Sequence, residues 1–341
     1  MATLITGATG VIGSSVVREL LKDGQQVRAL VRKTSDLRNL RGLDLKLCEG
    51  DVLDRASVEQ AMQGCDRVHH LAGVYAHWHP RGAEFIHRVN IQGTREVLET
   101  AERLKVPRVI HCSSISAVGF YPDRPSTEED FPVEDEEMRR SPYRLSKVLS
   151  ERLAFSFARE RGLNLTIVNP ASPIGVRDWV PTPTGRTILD FLNGRMPAYA
   201  EVGINLIDVE DLAQGFVLAE KKGRPGERYI LGNYNTTLAN FFGLIAEETG
   251  LPAPRIRLPA GLIRIMAAIS EPVANLTQRP PLVAIEQALH LNYNEFVDCT
   301  KAREELGLPQ NDIRIAIRKA VGYYLEEGLV RPERARRIKR P

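Results

Sequence analysis

Short runs rich in β-branched and aliphatic residues alternate along the first half of the chain with longer stretches whose apolar positions recur at helical spacing. The runs predict strands near 2–6, 26–31, 45–48, 67–71, 108–113 and 164–169, with helices between most of them. Such alternation implies an α/β fold built on a doubly wound parallel sheet. The first helix shows the logic: Val11, Ile12, Val16, Val17, Leu20 and Leu21 share one face, and Gly24 stands where a left-handed cap ends the helix. A helix near 92–104 repeats the pattern with Val97, Leu98, Ala101 and Leu104 before Pro107 blocks continuation. After residue 170 the rhythm changes. Pro170, Pro173, Pro181, Pro183 and Pro197 punctuate a loop-rich insertion, Arg228 to Leu231 reads as a strand returning to the sheet, and helical patterns follow at 238–250, 259–270, 281–289 and 311–327.

The first turn carries candidate chemistry. Gly7-Ala8-Thr9-Gly10-Val11-Ile12-Gly13 follows the first strand directly and opens a helix. Small residues there let backbone amides approach a pyrophosphate, which the positive end of the helix favours, so Gly7, Thr9, Gly10, Val11, Ile12 and Gly13 are expected to hold a dinucleotide. The second strand ends in Arg32-Lys33 rather than an acid, with Arg38 nearby, which points to a 2′-phosphate and hence to NADP(H), with NAD(H) as the alternative. Asp51-Val52 after the third strand suits either an adenine contact or a helix cap.

Tyr143 and Lys147 lie four residues apart on a predicted helix and so share a face, and Ser113-Ser114 ends the fifth strand. An ammonium beside a phenol draws its pKa down, and a serine hydroxyl at the strand end is placed to polarise a substrate carbonyl. Ser114, Tyr143 and Lys147 are therefore the expected catalytic set. Tyr75 and Trp78, in the loop after the fourth strand, are candidate substrate contacts. Arg177, Arg186 and Arg195 in the insertion suit a diphosphate or carboxylate, with Arg186 favoured.

These segments, with His70-Leu71-Ala72-Gly73, Asn90 to Thr94, Asn169 to Pro173 and Thr300 to Gly307, resemble the extended short-chain dehydrogenase/reductase family, also called the NAD-dependent epimerase/dehydratase family. Pro181 to Arg186 is similar to its dihydroflavonol 4-reductase-like and hopanoid-associated sugar epimerase branch. The resemblance implies a Rossmann-type domain over 1–170, rejoined by 203–236, with a smaller substrate lobe from 171–202 and 237–330 and a basic tail at 331–341. It also implies that Ser114 rather than Ser113 is catalytic, because Ser114 stands five positions before Gly119. Lys147 would bind nicotinamide ribose as well as tune Tyr143, Leu71, Ala72 and Gly73 would pass under the cofactor, and Pro170 and Ser172 would wall the nicotinamide. Helices near 92–104 and 143–160 would pair into a homodimer. Gly73 and Val118 depart from what sugar epimerases often carry. Three functions follow: an NADP(H)-dependent oxidoreductase acting at a carbonyl or alcohol carbon, a nucleotide-sugar epimerase with tightly held cofactor, and a non-catalytic dinucleotide sensor.

Composition narrows the rest. The 341 residues are 43% hydrophobic and 26% charged, enough for one large domain or two. The formal charge of +3 hides an uneven distribution: residues 331–341 hold six basic residues and one acid, and that tail's +5 leaves −2 for the body. A body so balanced argues against nucleic-acid binding, while the tail leaves contact with a membrane surface open. The acids of 128–137 are expected in a solvated loop. Four separated cysteines read as buried, reduced thiols. His69, His70, His77, His79 and His87 cluster in sequence, but His69 and His70 point to opposite faces of a strand and no nearby carboxylate completes a ligand set, so no metal is expected. The start shows no signal-like segment, which suggests a cytoplasmic protein, and the longest apolar stretch, Leu262 to Ile269, is too short to span a bilayer.

Overall fold

The computed structural model describes residues 1–339. In chain order its strands are β1 (Ala2–Thr6), β2 (Gln26–Val31), β3 (Lys46–Glu49), β4 (Arg67–His70), β5 (Arg108–Cys112), β6 (Leu165–Pro170), β7 (Ser172–Ile174), β8 (Ala198–Tyr199), β9 (Gly203–Asp208), β10 (Arg228–Leu231), β11 (Tyr234–Thr237) and β12 (Ile256–Arg257). Seven of them form a wholly parallel sheet ordered β10-β6-β5-β4-β1-β2-β3. The order reverses at β1, which lies between β2 and β4, and this reversal opens a crevice at the carboxyl ends of β1 and β4.

Both sheet faces are covered, as near-continuous apolar strands require. Val16, Val17 and Leu20 of the helix Val11–Lys22 pack with Leu212, Ala213 and Phe216 of the helix Val209–Lys222 on one side. Helices Arg55–Met62, Gly93–Arg103 and Pro142–Arg159 cover the other through Val58, Val97, Leu98, Ala154 and Phe157. The smaller lobe has its own core, in which Phe241, Phe242 and Ile245 meet Ile317, Ala320 and Tyr324.

Several expectations are corrected. Of the stretch 203–236, the helix Val209–Lys222 and β10 join the main fold, whereas β9 pairs with β7 and β11 in a separate three-stranded sheet. The helix expected to end at 270 runs through Pro272 to Thr277. The acidic run is not uniformly solvated: Glu128 is buried and accepts the N–H of Ile230 at 2.8 Å, and Asp135 caps a short helix through Met138 N–H. The tail is docked on the smaller lobe through its described residues. Arg331 N–H donates to Asn193, the Arg334 guanidinium donates to the Leu192 carbonyl at 3.0 Å, and Ile338 is buried; Arg340 and Pro341 lie outside the described residues. All four cysteines are free, with Cys65 and Cys299 buried and Cys48 and Cys112 half-buried.

Candidate active site

A cavity of about 1220 Å³ fills the crevice and runs from the glycine turn to the smaller lobe. Gly7 leaves β1 with φ +73°, and a Cβ there would lie 2.7 Å from the Leu71 and Ala72 backbone. A Cβ on Gly13 would sit 2.1 Å from the Gly7 carbonyl, so both glycines are required by the fold itself. Gly10 differs: its φ is −71° and a Cβ would meet nothing nearer than 3.5 Å. Nothing within the chain demands glycine there, and the position borders the cavity with Thr9, Val11 and Ile12 at the start of a helix. A bare backbone facing open space at a helix N-terminus is what a diphosphate needs, so these residues fit a dinucleotide.

Beneath the turn, Thr6 Oγ1 accepts the Ala72 N–H at 3.1 Å and lies 2.8 Å from His70 Nδ1, while His70 Nε2 lies 3.1 Å from Thr94 Oγ1. Burial pushes the His70 pKa down to about 3, so the ring is a neutral strut fixing Leu71, Ala72 and Gly73, all of which line the cavity. At the other end of the site, Arg32, Thr34, Ser35 and Arg38 border the cavity, and the Arg38 guanidinium stacks 3.5 Å over the Trp179 ring. Lys33 is exposed and does not line the cavity, because the chain turns after Arg32. Asp51 and Val52 line it as well; Asp51 accepts the Leu53 N–H at 3.0 Å in the turn, while the following helix is capped by Asp54, so the cap reading of Asp51 is corrected and its place on the cavity remains.

The helix Pro142–Arg159 places Tyr143 and Lys147 on the cavity wall beside Ser114, which follows β5 and caps the short turn Ile115–Ala117. Burial holds the Tyr143 phenol above its ordinary pKa, opposed by a hydrogen bond with Ser114. Lys147 Nζ donates to the Cys112 carbonyl at 2.9 Å, and burial lowers its pKa. Lys147 is not among the groups that shift the phenol, where desolvation is the largest cause. Pro170 and Ser172 line the same wall. Behind it, Asn169 Nδ2 donates to the Ser114 carbonyl at 2.9 Å and to Glu151, whose carboxylate pairs with Arg228.

Beside the expected Tyr75, this end of the cavity contains two groups that sequence reasoning missed, Glu286 and His290. Tyr75 packs at a tilt against Tyr143 with ring centroids 4.7 Å apart, and His77 lies edge-on to His290. Glu286, almost wholly buried, accepts the backbone N–H groups of Tyr143 at 3.3 Å and Arg144 at 3.2 Å, and so caps the helix Pro142–Arg159 from 142 residues away or more. His77, Glu286 and His290 bring their ligand atoms within 4.8 Å of one another. The i, i+4 spacing of Glu286 and His290 was the available signal, but nothing local ties it to Tyr143. Trp78 and Arg186 are corrected: neither lines the cavity. Trp78 donates to Asn275 at 2.8 Å, and Arg186 points out from the helix Pro183–Leu192. Arg177 lines the cavity with its guanidinium on Ser15 and Glu210.

Glu295 lies 3.0 Å from His290. Burial alone would lower the His290 pKa, but Glu295 and Glu286 outweigh it and raise the value above 6.5. A raised histidine contributes stability fully present below its unfolded pKa, and that contribution disappears as pH rises through the folded value. His290→Gln is accordingly expected to lower the thermal midpoint more at pH 6 than at pH 9. An equal loss at both would show that His290 does not change charge between them.

Residues 3–232 match the NAD dependent epimerase/dehydratase family. A Synechocystis sp. protein named as a dihydroflavonol 4-reductase is 38% identical over 96% of each chain, and Sterol demethylase protein B of Methylococcus capsulatus is 36% identical over 97% of this chain and all of that one. The crystal structure of gox2253 superposes with a TM-score of 0.86 at 36% identity, covering 97% of this chain and 99% of that one.

Proposed function

The chain belongs to the NAD-dependent epimerase/dehydratase family, and from that premise we propose that it is an NADP(H)-dependent oxidoreductase reducing a carbonyl carbon to an alcohol. The observation that carries the reading is a single continuous cavity. Ser114, Tyr143 and Lys147 face the same space as the glycine turn and the cationic end of β2. The turn from Gly7 to Gly13 would hold the diphosphate, Arg32 and Arg38 the 2′-phosphate, Lys147 the ribose hydroxyls, and Pro170 and Ser172 the nicotinamide. The bound dinucleotide supplies a hydride. Ser114 orients the carbonyl oxygen, Tyr143 donates a proton to it, and Tyr75 and His77 close the site from the opposite side. A phenol held above its ordinary pKa is protonated at neutral pH, which suits reduction.

The family description favours a second reading, epimerisation of a nucleotide-linked sugar with a retained cofactor. Against it, the three insertion arginines suited to a diphosphate are engaged elsewhere or turned away: Arg177 with Glu210, Arg195 with Asp190, and Arg186 to solvent.

NADPH deuterated at the transferring position of the nicotinamide is the test, applied to a panel of aldehydes and ketones. The proposal expects deuterium on the product alcohol carbon, and no transfer to any member would overturn it. NADPH is also expected to bind more tightly than NADH, and Arg32→Ala with Arg38→Ala to weaken NADPH roughly 10- to 100-fold, the worth of one to two charge-assisted hydrogen bonds, with little effect on NADH. Equal losses for both nucleotides would remove the 2′-phosphate assignment.

A further inference from the structure

The helix Ala260–Thr277 turns to solvent a face that folded domains ordinarily hide. Leu262, Ile265, Ile269, Val273 and Leu276 are between 45% and 85% exposed. At 100° per residue these five fall within about 80° of arc, as a stripe about 21 Å long. Ile256 before the helix and Leu282 after it are exposed as well. The opposite face is anchored, with Ile263 and Ala267 packing against Ala288. The exposed stripe is thus held rigidly outward.

Charge indicates what covers it. Arg255 and Arg257 before the helix and Arg279 after it are exposed, Arg264 lies outside the stripe's arc, and the one acid between residues 255 and 282, Glu271, has a carboxylate that accepts the Ile285 N–H at 2.6 Å. A second copy meeting this face about a two-fold axis would bring like charges together. An anionic lipid surface is complementary to both the apolar stripe and its cationic border. No helix among the described residues is long and apolar enough to cross a membrane.

We propose that this face docks on a bilayer containing anionic phospholipids, with the stripe entering the boundary between headgroups and acyl chains. The docking face backs onto the substrate end of the cavity. Ala288 sits between Gln287 and His290, which line the cavity, and Trp78, next to the cavity-lining His77, donates to Asn275 on the same helix. A carbonyl substrate reaching this end is therefore membrane-borne and amphiphilic, a step that rests on the reductase reading.

Flotation with vesicles of phosphatidylcholine, alone or with phosphatidylglycerol, tests the docking. The expected result is association with the anionic vesicles that weakens with added salt and falls at least about tenfold in Ile265→Asp/Ile269→Asp. NADPH binding, followed by fluorescence in the same samples, is expected to be unchanged by the substitutions, which shows that the variant is folded. Binding indifferent to lipid charge, no binding, or equal binding by the folded variant overturns the proposal. So does a dimer in sedimentation that the substitutions split without any vesicle association, which would assign the face to a second copy. Vesicle binding without NADPH binding would leave the docking standing and remove the membrane-borne substrate.

Discussion

Tyr143→Phe lowers turnover by about 10²- to 10⁴-fold, the usual worth of a positioned proton donor, while NADPH affinity and the thermal midpoint stay close to those of the unaltered chain. The substitution removes one oxygen and keeps the ring. That ring is buried against Tyr75, and its hydroxyl is within reach of Ser114. Packing is thereby preserved and only the proton is lost. The measurement is kcat and KM for any carbonyl compound reduced by the unaltered chain, beside a nucleotide titration. Undiminished turnover would place the proton donor elsewhere, and undiminished values of every measurable activity would revive a nucleotide sensor.

Arg228→Met is expected to destabilise the fold by about 3–5 kcal/mol, the cost of leaving a buried charge without its partner. Arg228 is 2% exposed and donates at 2.5 Å to Glu151, at 2.8 Å to the Glu128 carbonyl, and to the Asp130 carbonyl. Methionine fills much of the volume, but it leaves the Glu151 carboxylate buried with Asn169 as its remaining described donor. Glu151 stands one turn beyond Lys147 on the helix Pro142–Arg159, and Asn169 also holds the Ser114 carbonyl. The loss should therefore extend from stability to the alignment of Ser114 with Tyr143. Denaturant unfolding measures the first effect, and Arg228→Met/Glu151→Leu should recover a large part of it because both charges are removed together. A cost below about 1 kcal/mol for the single substitution would show that water reaches the pair.

What the sequence made legible was local. The seven-stranded sheet follows from apolar runs four to six residues long, and the cofactor turn follows from glycines at fixed offsets beside one strand. Tyr143 and Lys147 were readable because four residues on a helix define a face. The groups that close the site were not readable, because each depends on chain segments brought together by the fold. Glu286 reaches Tyr143 only because the smaller lobe folds back over the sheet, and Arg228 finds Glu151 only because β10 pairs with β6. Glu128 illustrates the same limit: seven acids within ten residues suggest water, yet this one is buried against the backbone of β10. Trp78 and Arg186 show the converse, residue types suited to ligand contact that the backbone directs elsewhere.

The central claim is that the dinucleotide is an exchangeable reductant carried as NADPH. It is tested most directly by denaturing freshly purified protein, identifying any released nucleotide by mass spectrometry with its amount per chain, and titrating the native protein with NADPH and NADH. The account predicts little resident nucleotide and tighter binding of NADPH. Near-stoichiometric NAD⁺ released from every chain would contradict it and indicate an enzyme that oxidises and re-reduces its substrate within one turnover.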